Sequence, residues 1–93
     1  MIASFKDREA ERIFNQTVSR RLPRGIQKRA LNKLLMLHAA KGIQDLRNPP
    51  SNNLEALGGD RQGQYSIRIN DQYRICFLWA DSSAHEVEII DYH

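Results

Sequence analysis

Residues 65–79 read YSIRINDQYRICFLW, and the alternation in this stretch decides the fold. Tyr65, Ile67 and Ile69 alternate with Ser66, Arg68 and Asn70. Past Asn70-Asp71-Gln72, Tyr73, Ile75, Phe77 and Trp79 alternate with Arg74, Cys76 and Leu78. A period of two is that of a half-buried strand, and the intervening polar residues are those of a tight turn, so a β-hairpin is expected. A three-residue loop at 70–72 sets Ile69 against Tyr73, Ile67 against Ile75 and Tyr65 against Phe77. Every bulky apolar side chain then shares the core face. Arg68 and Arg74 lie opposite each other on the other, exposed face, beside Ser66 and Cys76. A register one residue different would put Arg74 among the isoleucines as an unpaired buried charge.

Working outward, Gly58-Gly59-Asp60-Arg61-Gln62-Gly63 reads as a turn, preceded by a short strand at 54–57. The last strand is expected at 87–91, reached through the polar turn Asp81-Ser82-Ser83, and residues 2–5 suit a short edge strand. Residues 43–53 read as a connector, because Asn48 before Pro49-Pro50 is steered away from helical dihedrals. The first 42 residues have helical periodicity instead. Ala10, Ile13, Phe14 and Val18 define one amphipathic helix, with Ser4 and Asp7 as its capping pair. Pro23 suits the first turn of a second helix, whose buried stripe is Ile26, Ala30, Leu31, Leu34 and Leu37. Lys28, Arg29, Asn32 and Lys33 fall on its opposite side, and Gly42 is the natural stop. The expected fold is α+β, with two N-terminal helices packed on one face of a small, mainly antiparallel sheet.

The 93 residues fit a single domain, 1–93, with enough chain for a core of its own. At 41% hydrophobic and 27% charged, the composition is that of an ordinary globular protein. The longest apolar run, residues 75–80, is far short of the roughly 20 residues a membrane helix needs. Lys6, Asp7, Arg8 and Glu9 leave no apolar stretch for a secretory signal. The single Cys76 has no internal disulfide partner, and no CxxC or paired Cys/His spacing suggests zinc. A cytoplasmic protein without a metal or other cofactor, and without a membrane partner, is expected. Charge is unevenly placed. Residues 1–46 carry ten basic and four acidic side chains, whereas residues 47–93 carry four and seven. All six charges between Arg20 and Lys33 are positive, a block that attracts phosphate or serves as a solvated helix face.

Two like charges directly opposite each other destabilise a bare sheet, but an anion between them reverses the sign, and a phosphate fits. Pairing of Arg68 and Arg74 with sheet carboxylates such as Glu88 or Glu86 is the alternative. In the last strand Val87 and Ile89 point to the core, which brings Tyr92 out on the side of the arginines, followed by His93. A phenol and an imidazole beside two guanidinium groups are suited to cleaving a phosphodiester without a metal; a frayed chain end is the other reading. Arg61, in the glycine-rich turn, can reach a phosphate, although no GK[ST] follows to make that turn a P-loop. Cys76 reads as a small buried hydrophobe, His38 as a packed or surface side chain, and His85 carries no signal.

The run LEALGGDRQGQYSIRINDQYRICFLW (54–79), the preceding DLRNPP (45–50) and the closing VEIIDYH (87–93) resemble the HigB-type toxins of the RelE superfamily, the poison halves of bacterial toxin–antitoxin pairs. The likeness extends through the opening MIASF and both helices. It implies a microbial-ribonuclease-like fold and a ribosome-dependent endoribonuclease that cuts messenger RNA in the 30S A site. By the same resemblance Arg74 matches the arginine that holds the scissile phosphate, and Arg68 a basic residue on the preceding strand. Tyr92 matches the C-terminal catalytic tyrosine and His93 a common final histidine. Lys28, Arg29 and Lys33 on the second helix are expected to bind RNA alongside Arg61. Some relatives carry His and Lys where this chain has Glu55 and Gly58, so the general base is His93, Tyr92, Glu55 or a ribosomal group. Arginine is excluded by a pKa above roughly 12. The implied partner is a HigA-like helix-turn-helix antitoxin, through which the complex reaches operator DNA. Two rival readings are a non-catalytic basic RNA- or protein-binding module and a ParE-like gyrase inhibitor.

Overall fold

The computed structural model describes residues 1–91, and the pairing read from the alternation is present in it. Four antiparallel strands, β1 (Glu55–Ala56), β2 (Gln64–Arg68), β3 (Tyr73–Ala80) and β4 (Ser83–Asp91), follow one another in the order β1-β2-β3-β4. Ile67 pairs with Ile75, Tyr65 with Phe77 and Arg68 with Arg74. The turn between β2 and β3 is held by Asn70, whose Oδ1 accepts from Tyr73 N at 2.7 Å and Gln72 N at 2.9 Å. This is the Asx geometry that makes asparagine a turn residue. The opening segment is not a free edge: Ile2 and Phe5 bridge Ala84 and Val87 in parallel along β4.

β4 begins four residues before the expected start. Residues 83–86 are mostly polar and show no clear alternation, but a two-residue turn with left-handed Asp81 (φ 54°) and Ser82 (φ 59°) closes a hairpin directly onto β3. Such a turn matches the right-handed twist of the paired strands. A bulge then interrupts the ladder between Cys76 and Leu78, and Glu86 takes a left-handed φ of 54° opposite it. One extra residue in β4 restores Val87 and Ile89 to the core face.

The helices are α1 (Arg8–Phe14) and α2 (Arg24–Ala39). Ala10, Ile13, Ala30, Leu34 and Leu37 meet Ile67, Ile75, Phe77, Val87 and Ile89 in one buried cluster, so both helices cover the same face of the sheet. The α+β layering is as expected; three local readings are not. α1 stops at Phe14 because Gln16 turns left-handed (φ 61°), which leaves Val18 56% exposed rather than buried. Asp7 alone caps α1, accepting from Glu9 N at 3.0 Å, whereas the Ser4 hydroxyl accepts from Glu86 N at 2.9 Å and steadies the bulge. Lys33, expected on the solvated side of α2, is buried. The connector forms short 3₁₀ turns at Ile43–Arg47 and Pro50–Asn52, and a third lies at Gly59–Arg61.

Asp7 ties three segments together. Its carboxylate caps α1, accepts from Ile89 N at 3.2 Å and pairs with Arg21, which also donates to Ile89 O at 3.1 Å. Loss of a cap and of charge-assisted backbone bonds predicts that Asp7→Ala lowers unfolding stability by about 2 kcal/mol. Ser4→Ala removes one bond to an exposed amide and should cost less than about 1 kcal/mol. Urea unfolding of both variants checks the ranking, and equal losses would contradict it.

Candidate functional site

The second face of the hairpin is not open in the way the alternation suggested. Ser66 and Cys76 are fully buried and Arg74 is only 6% exposed. The reason lies in what the guanidinium finds there. Arg74 Nε donates to Ser66 Oγ at 2.8 Å, and Nη2 donates to Asn53 O at 2.6 Å and Ser66 O at 3.4 Å. Asn53 is left-handed (φ 45°) at the end of a 3₁₀ turn, and its carbonyl meets the arginine. Glu55, on β1, lies 3.8 Å from Arg74 Nη1 and also accepts from Asn53 Nδ2 at 3.2 Å. Arg74 is therefore a fixed cation, lodged between β2 and the segment leading into β1.

Arg68 faces it across the ladder but takes different partners. It pairs with Asp71, whose carboxylate is 95% exposed, and it lines a cleft of about 330 Å³ between α2 and the β2–β3 turn. Arg29, Asn32, Lys33, Met36, Ser51, Ile69 and Asn70 complete the walls. Of the basic residues expected on α2, Arg29 and Lys33 thus join Arg68, whereas Lys28 lines a separate groove with Ile13, Val18 and Leu31.

Lys33 Nζ is held by the side-chain oxygen of Asn52, which is itself fully buried and donates to Leu46 O at 3.1 Å and Asn48 O at 3.3 Å. Burial, and then the nearby charge of Arg29, push the Lys33 pKa below its ordinary value of 10.5. Neither Asn52 nor Asn53 carried a functional signal in the sequence, since single asparagines after a Pro-Pro pair read simply as loop.

Arg61 lies on the same side of the sheet but belongs to another cluster. It donates to Glu88 at 3.1 Å and Gln64 at 3.2 Å, and Lys6 approaches the same Glu88 oxygen at 3.6 Å. The hydrogen bond to Glu88 raises the pKa of Arg61 despite some burial. Glu88, weighed as a partner for Arg68 or Arg74, thus pairs with Arg61 and Lys6 instead, while Glu86 sits at the bulge. Burial pushes the Cys76 thiol upward, in keeping with an inert packed side chain. His38 Nδ1 accepts from Ile2 N at 3.1 Å and its ring packs on Phe14, and His85 contacts Ala80 O. Tyr92 and His93, expected to supply acid–base chemistry, lie outside the described residues.

Two helices thus cover one face of an antiparallel sheet, and two arginines oppose each other on the other face. The backbone is similar to that of the YoeB–YefM toxin–antitoxin complex from Staphylococcus aureus, with a TM-score of 0.58 at 18% identity, over 100% of this chain and 98% of that one. Residues 3–93 match the family described as RelE-like toxin of type II toxin–antitoxin system HigB, and the chain belongs to that family. It is 41% identical over 85 residues to Toxin HigB-1 of Vibrio cholerae, covering 90% of each chain. It is 31% identical over 93 residues to Endoribonuclease HigB of Proteus vulgaris, covering 100% of both.

The depressed Lys33 pKa has a definite sign. Between its folded value and 10.5 the unfolded chain binds more protons than the folded one, so stability rises with pH across that window. Lys33→Met should remove that rise. Urea midpoints of both proteins between neutral and alkaline pH would test it, and parallel curves would show that Lys33 is not held as described.

Proposed function

We propose that this toxin is a ribosome-dependent endoribonuclease that cuts messenger RNA in the 30S A site and thereby stops translation. The observation that carries the reading is the pairing of Arg68 with Arg74 across β2 and β3, in a chain alike end to end to a protein named an endoribonuclease. In the reaction the 2′-oxygen attacks the adjacent phosphorus and gives up its proton to a base. The P–O5′ bond breaks, the 5′-oxygen takes a proton from an acid, and the products are a 2′,3′-cyclic phosphate and a 5′-hydroxyl. Arg74, already fixed by Ser66 and Asn53, and Arg68 stabilise the charge on the pentavalent phosphorane. Tyr92 and His93 move the protons, with Glu55 beside Arg74 as the other candidate base. Arg61 and the basic residues Lys28, Arg29 and Lys33 hold the RNA. No metal enters this scheme.

The partners follow from the same reading: a HigA-like helix-turn-helix antitoxin that neutralises the toxin and carries the pair to operator DNA. The site of action is the cytoplasm; among the described residues no helix is long and apolar enough to cross a membrane. The burial of Arg74 favours a second reading, in which its role is architectural and the basic surface binds RNA without cutting it.

Programmed ribosomes incubated with the purified toxin separate the two. Cleavage predicts new 5′-hydroxyl ends that appear only with ribosomes and persist in EDTA. Arg68→Ala and Arg74→Lys should each slow the reaction by about 10²-fold or more, and Tyr92→Phe by a similar factor. Thermal unfolding of Arg74→Lys guards against a folding defect. Arrest of translation without new ends would establish the binding reading, and folded arginine variants with rates within a few-fold of wild type would remove the clamp.

A further inference from the structure

The cleft between α2 and the β2–β3 turn has an unusual charge inventory. Three cations, Arg29, Lys33 and Arg68, share its walls with the amides of Asn32 and Asn70 and the hydroxyl of Ser51, and among the described residues no carboxylate lines it. Met36 and Ile69 supply an apolar side. Its volume of about 330 Å³ is at the small end of ligand-sized sites, which run from roughly 300 to 1,000 Å³.

The cations are positioned in three different ways. Lys33 is fixed from behind by buried Asn52, which neutralises none of its charge. Arg29 is exposed on α2, one turn before Lys33. Arg68 is attached to Asp71, whose carboxylate is almost wholly in solvent, and exposed pairs of that kind are weak and easily exchanged for a better anion. Among the described residues no carboxylate pairs with Lys33, and a buried ammonium beside an arginine is then a standing cost that an anion removes.

We propose that this cleft is a phosphate subsite, gripping a backbone phosphodiester of single-stranded RNA through Arg29, Lys33 and Arg68 while Met36 and Ile69 take the adjoining sugar. It rests on the ribonuclease reading only for the source of the phosphate. The subsite is separate from the Arg74 pocket, whose partners are Ser66, Asn53 and Glu55, and Arg68 faces Arg74 across the ladder. A strand lying over the hairpin thus has one linkage for Arg74 and a neighbouring linkage for the cleft, with Arg68 between the two.

The test uses the full-length toxin and a short 2′-O-methyl RNA, which binds but offers no attacking hydroxyl. Side-chain amide NMR signals of Asn32 and Asn70 should shift on titration, and far less with a methylphosphonate analogue of the same length. Arg29→Gln, at an exposed position, should weaken binding about tenfold and reduce the log–log salt slope by about 0.7, the value for one phosphate contact on a single strand. Lys33→Met should behave alike. Lys41→Gln removes an equal charge outside the cleft and should change neither quantity. Inorganic phosphate that shifts the same amides while the RNA does not would overturn the RNA assignment. Arg29→Gln and Lys33→Met that bind as wild type would overturn the subsite. If the cleft binds RNA in this pattern but ribosomes yield no cut ends, the subsite stands and the ribonuclease reading falls. If messages are cut and the cleft variants bind and cut as wild type, the reverse holds.

Discussion

The pairing of Ile67 with Ile75 is the constraint on which the rest of the molecule depends. Both side chains are fully buried beneath the helices, so the register cannot slip without exposing them and driving Arg68 and Arg74 into the core. The same register puts Tyr65 against Phe77, whose rings stack at 6.2 Å, and sets Ser66 beside Arg74. The bulge in β4 serves the same end from the other edge, letting a nine-residue strand bring Val87 and Ile89 onto the face that Ile67 and Ile75 occupy.

What was legible in the sequence was what periodicity carries. The hairpin, its loop, the apolar stripe of α2 and the inward direction of Val87 and Ile89 follow from alternation and helical spacing, because each buries a regular face. What was illegible is irregular. The first half of β4 is polar in composition, and only Ala84 marks its buried side. Val18 fits the helical spacing of α1 but lies beyond a left-handed Gln16, a local break that no pattern of hydrophobicity records.

The candidate site divides along the same line. The opposition of Arg68 and Arg74 was readable because it is a matter of register. The burial of Arg74 was not, because it depends on a left-handed Asn53 bringing a carbonyl to it from outside the hairpin. The sequence places Lys33 opposite the buried stripe of α2 for an equivalent reason: its position on the helical wheel is polar, and Asn52, nineteen residues away in the chain, makes a buried position tolerable. In both cases an asparagine in the connector supplies the acceptor, and isolated loop asparagines have no spacing to betray them.

The choice of acceptor distinguishes two sets of cations in this protein. Arg21 is paired with Asp7, Arg12 with Glu9 inside α1 and Arg61 with Glu88, so each of these guanidinium groups has a carboxylate against it. Lys33 meets an amide oxygen, and the hydrogen bonds of Arg74 to Ser66 and Asn53 go to a hydroxyl and to carbonyls, with Glu55 at a longer 3.8 Å. A neutral acceptor satisfies the Lys33 donor and fixes its geometry but leaves its positive charge in place, whereas Arg74 has Glu55 nearby as well. A fold selected for stability alone gains little from a cation held as Lys33 is, since a buried charge that meets only an amide is costly. A fold that must receive a polyanion gains directly: its groups are oriented before the anion arrives, and no carboxylate has to be displaced from Lys33 when it does.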